Sequence, residues 1–183
     1  IYREPSAARQ LLGILSESVA LYLRAQAHAG AQVLMIFDTW GGVLGHAEYR
    51  YFSLDPMAQI VDALRADPVA EALPIIVFTK GGGQWLSRIA QIGCDALGCD
   101  WTTSLREARR LVQDQVALQG NLDPAVLNSP PEKIRSAVAD VLADFGPGPG
   151  HVFNLGHGIT PGIDPDHVKV LVDSVHELSR SAP

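Results

Sequence analysis

The sequence predicts an α/β fold built on a parallel sheet, and three observations carry that expectation. Short apolar runs of strand length alternate with longer stretches of helical periodicity. The apolar runs are continuous rather than alternating, as in strands covered on both faces. Each run then stops at glycine or polar residues: Asp38-Thr-Trp-Gly-Gly42, Thr79-Lys-Gly-Gly-Gly83, Asp100-Trp-Thr-Thr103, Gln119-Gly-Asn-Leu-Asp-Pro124 and Gly156-His-Gly158.

The elements follow in order. Residues 7–29 read as a helix, with Leu11, Leu12, Leu15, Val19, Tyr22 and Leu23 at helical spacing, a Pro5-Ser6 start and Gly30 as the closing glycine. Residues 32–37 (QVLMIF) read as the first strand. A helix follows over 47–66, which Pro56 should interrupt or restart. Residues 74–78 (PIIVF) form the second strand, and 84–92 a short helix stopped by Gly93. Residues 96–99 form the third strand. The next helix covers 104–112, with Ser104 and Glu107 spaced as a capping box. Residues 116–118 form a fourth strand and 130–145 a helix. Gly146-Pro-Gly-Pro-Gly150 is a loop, 152–155 the fifth strand, and 164–179 the last helix, with Pro165 in its first turn.

One helix and five β-α units result, with no linker between domains, so residues 1–183 are expected to form a single domain. Two architectures fit. A doubly wound five-stranded sheet would be complete as it stands. A (β/α)8 barrel typically needs about 250 residues, and five units are three short of eight. At roughly 30 residues per unit, the missing three would precede Ile1. The opening helix, which no strand precedes, looks like the second half of an earlier unit.

Composition narrows the function. The chain has 183 residues, 47% hydrophobic and 19% charged, enough for a substantial core. A net charge of −6 argues against nucleic acid or an anionic membrane as partner. No apolar stretch approaches the roughly 20 residues of a membrane span. The first residues, Ile1-Tyr-Arg-Glu-Pro5, have no signal-peptide layout and no initiator Met, so the chain is expected to be processed or incomplete. Cys94 and Cys99 read as buried thiols in a reducing compartment. No Cys-x-x-Cys or His-x-x-x-His occurs, so no metal site is expected.

In a parallel sheet the strands' carboxyl ends share one face, where ligands bind. That face would collect Asp38, Thr39, Lys80, Asp100, Thr102, Gln119, Asn121, Asp123, Asn154 and His157. Loops at these ends are polar in any case, so the pattern alone leaves a purely structural role open. The glycines after Lys80 do not form a nucleotide P-loop, and neither a dinucleotide fingerprint nor a Gly-x-Ser-x-Gly elbow is present. His151, His167 and His176 read as surface or helix histidines. Trp40, Trp85 and Trp101 suit either an aromatic wall or core packing.

Taken together the strand ends resemble the uroporphyrinogen decarboxylase family. The runs that carry the resemblance are Ile36-Phe-Asp-Thr-Trp-Gly-Gly-Val-Leu44, Phe78-Thr-Lys-Gly-Gly-Gly-Gln-Trp-Leu86, Asp100-Trp-Thr-Thr103, Val116-Ala-Leu-Gln-Gly-Asn-Leu-Asp-Pro124 and His151-Val-Phe-Asn-Leu-Gly-His-Gly158. They stand in the family's order, at similar spacings, across nearly the whole chain. Gly45, where the family more often has Ser, and Cys99, where an aliphatic residue is usual, depart from it.

The resemblance implies an α/β (β/α)8 TIM barrel, of which this chain is the carboxyl-terminal portion. It implies a cytoplasmic homodimer that removes the four acetate carboxyls of uroporphyrinogen III, giving coproporphyrinogen III, with no metal and no organic cofactor. It assigns Thr39 and His157 to the substrate's side chains and Phe37 to a wall of the macrocycle pocket. The family's main catalytic groups (a Met-Arg-Gln-Ala-Gly-Arg stretch, an aspartate for the pyrrole NH groups and a tyrosine) lie upstream of this chain, so catalytic residues are unknown here. Two other readings stand beside it: a cobalamin-linked, zinc-dependent methyltransferase of the same fold family, and an inactive half-barrel module.

Overall fold

The computed structural model describes residues 1–113 and 115–180, and the chain divides into two units, Ile1–Leu97 and the part from Gly98 onward. The first unit opens on helix α1 (Pro5–His28), with Pro5 in its first turn, where a missing N–H costs nothing. Ser16, Ala20, Leu23 and Ala27 form its buried stripe at helical spacing. Its end is a Schellman closure: the Gly30 N–H bonds to Ala27 O and the Ala31 N–H to Gln26 O, both at 3.0 Å.

Strand β1 (Leu34–Asp38) pairs in parallel with β2 (Ile75–Thr79), Leu34 opposite Ile75 and Asp38 opposite Thr79. Every residue of β2 is buried, as its unbroken apolar run requires. The backbone leads on beside β2 through the Asp95 N–H to Ile75 O bond (2.9 Å). Arg65 ties this end of the unit, donating to the carbonyls of Glu71, Leu73 and Gly93 and to Asp95. Asp67, buried nearby, accepts from the Val69 and Ala70 amides and from Arg24 and His28. Chiefly the Ala70 amide, with these partners, holds its carboxyl well below the usual carboxylate range.

The helix expected over 47–66 is helical throughout but not uniform. Helix α2 (His46–Tyr49) runs through a wide turn over Arg50–Leu54 into α3 (Asp55–Arg65). The Asp55 N–H reaches back five residues, to Arg50 O. Pro56 accounts for this: it offers no N–H, and its ring would strike the carbonyl four residues back unless the turn widened. As expected, the helix restarts at Pro56, which sits at the start of α3 and whose own carbonyl accepts a bond from Ser16 (3.3 Å). A short helical stretch then runs over Gly83–Ile92, with α4 (Leu86–Ile89) at its centre, and ends at Gly93 as expected.

Strand β3 (Ala96–Gly98) leads into the second unit. There the Cys99 N–H bonds to Gln119 O (2.7 Å), and β4 (Ala117–Leu122) pairs in parallel with β5 (His151–Leu155), Leu118 opposite His151. Helix α5 (Leu105–Val112) is capped by Ser104, which accepts from the Glu107 amide at 3.3 Å. Helices α6 (Pro131–Phe145) and α7 (Pro165–Arg180) bury Leu127, Ile134, Val138, Leu155 and Leu171 against Leu122. Each such fully buried side chain contributes about 1.5–3 kcal/mol.

All five expected strands are present among the described residues, and both pairs in register are parallel, so the predicted α/β class holds. Strand β4 is longer than its apolar residues suggest, continuing through Gln119 and Asn121, which are buried. Polar residues read as loop in sequence, yet here the backbone goes on pairing because the Asn121 side chain finds partners of its own.

Candidate functional site

At the end of β1, strand alternation sends Asp38 to one face and its neighbours Phe37 and Thr39 to the other. Both Asp38 carboxylate oxygens are engaged. Its Oδ1 accepts from the Gly41 amide (2.8 Å), and its Oδ2 from Ser53 Oγ (2.5 Å) and Thr79 Oγ1 (3.2 Å). Thr79 in turn accepts from the Tyr49 hydroxyl (3.0 Å), whose ring stacks on Trp85 at 3.8 Å. Burial raises the Tyr49 pKa, so this phenol stays a proton donor to Thr79. The Asp38 carbonyl also accepts from the Lys80 amide (3.0 Å). Gly42 completes the corner: a Cβ there would lie 1.9 Å from Lys80 O, so only glycine lets the two strand ends approach.

Asp38 therefore builds the corner, and the residues beside it are presented by it. Phe37 is 67% exposed, touching Phe78 edge-on at 6.1 Å, and Thr39 and Trp40 are exposed. These are surfaces and donors available to a ligand, held on a rigid strand end.

The β5 end in the second unit is built differently. Gly156 follows the strand, its N–H bonded to Leu122 O at 2.8 Å. A Cβ on Gly156 would lie 2.5 Å from the Trp101 nitrogen, so the corner packs backbone against backbone on the Asp100–Thr103 turn. That turn is fixed by Asp100, which accepts from Thr102 N (2.9 Å) and Thr102 Oγ1 (2.5 Å). Asn121 fixes it again, donating to the carbonyls of Asp100 (2.8 Å) and Thr103 (2.5 Å). His157 stands exposed beyond Gly156, its ring perpendicular to that of Trp101 with centroids 6.5 Å apart.

Of the remaining strand-end residues, several serve the backbone. Asp123 accepts from the Ala125 amide as a cap, and Asn154 from the Leu155 amide. The three tryptophans separate: Trp85 is core, whereas Trp40 and Trp101 are exposed on the corners. His151 is not the surface residue its sequence context suggests. It is half-buried, stacks on Phe145 at 4.5 Å and bonds through Nε2 to Gly120 O at 2.8 Å. Burial lowers its pKa. His167 bonds the Leu127 carbonyl (2.7 Å), while His176 is exposed on α7 as read.

Both thiols are buried, which pushes Cys94 up to about 11 and Cys99 to about 12. Among the described residues no three His, Cys, Asp or Glu side chains gather to hold a metal, and no helix is long and apolar enough to cross a membrane. Sequence reading missed Tyr49 and Ser53, which lie within a helical segment and reach the β1 corner only through tertiary contact.

Comparison with known proteins gives the same motifs a family. The model of the uroporphyrinogen decarboxylase (URO-D) family matches residues 1–178. The uroporphyrinogen decarboxylase of Alkalilimnicola ehrlichii is 56% identical over 98% of this chain and 49% of its own length. That of Saccharophagus degradans is 55% identical over 98% of this chain and 51% of its own. That of Thioalkalivibrio sulfidiphilus is 57% identical over 97% and 50%. The chain thus spans about half the length of the curated relatives it matches. Among solved structures, a methyltransferase from Methanosarcina mazei aligns with a TM-score of 0.78 over 93% of this chain and 49% of that one, at 24% identity, a likeness of fold alone. On the match across residues 1–178 and on these identities, the chain belongs to the uroporphyrinogen decarboxylase family.

Proposed function

We propose that this chain is the carboxyl-terminal portion, as one domain over 1–183, of a (β/α)8-barrel uroporphyrinogen decarboxylase. The enzyme removes the four acetate carboxyls of uroporphyrinogen III and releases coproporphyrinogen III. The observation that carries the reading is the series of five motif-bearing strand ends, in order, within the family match over 1–178. The exposed apolar residues Leu11, Ile14, Leu15 and Tyr22 of α1 support it, as surface that upstream units of the barrel would cover.

Each step exchanges –CH2–COO⁻ for –CH3 at the expense of one proton. Protonation of the pyrrole carbon makes the ring cationic. The bond to the carboxyl carbon then breaks, CO2 leaves, and its electron pair neutralises the ring as an exocyclic methylene. That methylene takes up a proton as the ring carbon gives one back, so one proton is consumed overall. A carboxylate near the ring NH groups, from the upstream half, stabilises the cation in a low-dielectric site. This chain's share is binding. Thr39 Oγ1 donates to a substrate carboxylate, the His157 ring N–H holds another, and Phe37 lies along the macrocycle.

The enzyme acts as a cytoplasmic homodimer, with no nucleic-acid or membrane partner and no metal or organic cofactor. The test is an anaerobic assay of the full-length polypeptide that carries these 183 residues, with uroporphyrinogen III as substrate. Coproporphyrinogen III and four equivalents of CO2 per macrocycle are expected. A folded full-length protein that leaves uroporphyrinogen unchanged would overturn the proposal.

A further inference from the structure

We propose that Trp101 is a positioning residue for His157, and that the buried Asn121 amide keeps Trp101 in place for that purpose. The inference rests on the reading of His157 as a ligand for a substrate carboxylate. His157 stands exposed just past Gly156, and a histidine ring has rotamer freedom to lose when a ligand orders it. A binding group whose orientation is already set gives up less affinity when substrate orders it.

An aromatic wall stands beside that ring. The Trp101 ring meets the His157 ring at 86°, centroids 6.5 Å apart, within the range of edge-to-face aromatic contacts. A wall helps only if it is itself fixed. Asn121 is 7% exposed and lies in β4, so its position is set by the sheet. Its one side-chain nitrogen donates to the carbonyls of both Asp100 (2.8 Å) and Thr103 (2.5 Å), the two ends of the turn that carries Trp101. The Asp100 carboxylate closes the same turn across Trp101, to Thr102 N and Oγ1. Gly156, packed against the Trp101 nitrogen, then fixes where the His157 corner begins relative to the wall. The turn, the wall and the corner are thus one assembly within the second unit.

A wall that preorganises a binding group acts on binding and leaves the chemical step alone. An edge-to-face contact corresponds to a factor of about 2 to 12. The experiment uses the full-length enzyme and measures KM and kcat for uroporphyrinogen III in Trp101→Leu, Trp101→Phe and Thr102→Val, each alone and in a His157→Ala background. NMR of the His157 ring protons, which the indole ring current shifts, is recorded alongside. Trp101→Leu is expected to raise KM about 2- to 12-fold, to leave kcat within a factor of about two, and to move the His157 ring signals. Trp101→Phe restores most of both. Thr102→Val, which only loosens the turn, shifts the signals and KM in the same direction by less, so the test survives if the leucine variant folds poorly. In the His157→Ala background none of the three changes KM further. An unchanged KM in Trp101→Leu, or an equal rise without His157, would overturn the inference, the latter by showing that Trp101 touches substrate itself. If His157→Ala alone leaves KM unchanged, the underlying reading of His157 fails instead.

Discussion

The ends of β1 and β5 solve the same problem by different means. At β1 a side-chain network holds the corner: Asp38 gathers Gly41, Ser53 and Thr79, and Tyr49 supports Thr79 from behind. At β5 the corner is held by close backbone packing, Gly156 against the Trp101 turn. In both places a polar residue within the motif builds the loop while a neighbour is offered to solvent. Asp38 serves Thr39 and Phe37, and Asn121 serves Trp101 and His157. Strand-end polarity is therefore not one signal. A carboxylate that already accepts three hydrogen bonds is largely committed to holding its own loop.

The comparison breaks most readily at Gly156. Gly156→Ala forces a methyl to 2.5 Å from a backbone nitrogen that cannot rotate away, and should destabilise by about 3 kcal/mol, read from chemical denaturation. A loss under about 1 kcal/mol would mean the β5 corner is not held by backbone packing. Asp38→Ala comes next. It strands the Ser53 and Thr79 hydroxyls and the Gly41 amide, and should cost about 2–3 kcal/mol. Asp38→Ala with wild-type stability would show that the β1 network is incidental. Tyr49→Phe removes only one donor to Thr79 and keeps the stack on Trp85, so about 1 kcal/mol is expected.

A smaller effect is read through pH. His151 has a folded pKa lowered by burial, so it stays neutral in the fold where the unfolded chain, titrating near 6.5, takes up a proton. The unfolded state then binds more protons, and stability falls as pH drops below about 6.5. Above that value both states are neutral and the contribution is flat. His151→Gln should remove this part of the acid slope, measured as urea midpoint against pH. An unaltered slope would assign it to another group.

Much of this was legible in the sequence, for physical reasons. Continuous apolar runs of strand length cannot be satisfied at a half-exposed surface, so β2 read correctly as buried on both faces. Gly30 and Gly93 ended helices where the pattern placed them. The motif residues Thr39, Phe37 and His157 lie exposed at the strand ends where the pattern placed them. What stayed hidden depends on contacts between distant residues. Nothing near Tyr49 announces that its hydroxyl reaches Thr79, thirty positions on. Asn121 looked like loop because it is polar, and only the two carbonyls that accept from it explain its burial in β4. His151 looked like surface for the same reason, until Gly120 O and Phe145 supplied its partners. Pro56 was expected to interrupt or restart the helix, and it restarts it: α3 begins at Asp55; the wide turn over Arg50–Leu54 that leads into it was not legible.

The division of labour at the strand ends is tested most directly by measuring thermal unfolding and the KM for uroporphyrinogen III together, in Asp38→Asn and His157→Ala of the full-length enzyme. Asp38→Asn is expected to lower the unfolding temperature by a few degrees, roughly 2 °C per kcal/mol lost in a chain of this size. His157→Ala should leave that temperature unchanged, as an exposed side chain would, and raise KM about tenfold, the loss of one charge-assisted hydrogen bond. If His157→Ala lowered stability and left KM alone, the residue offered to substrate would be a structural one, and the account of these corners would be contradicted.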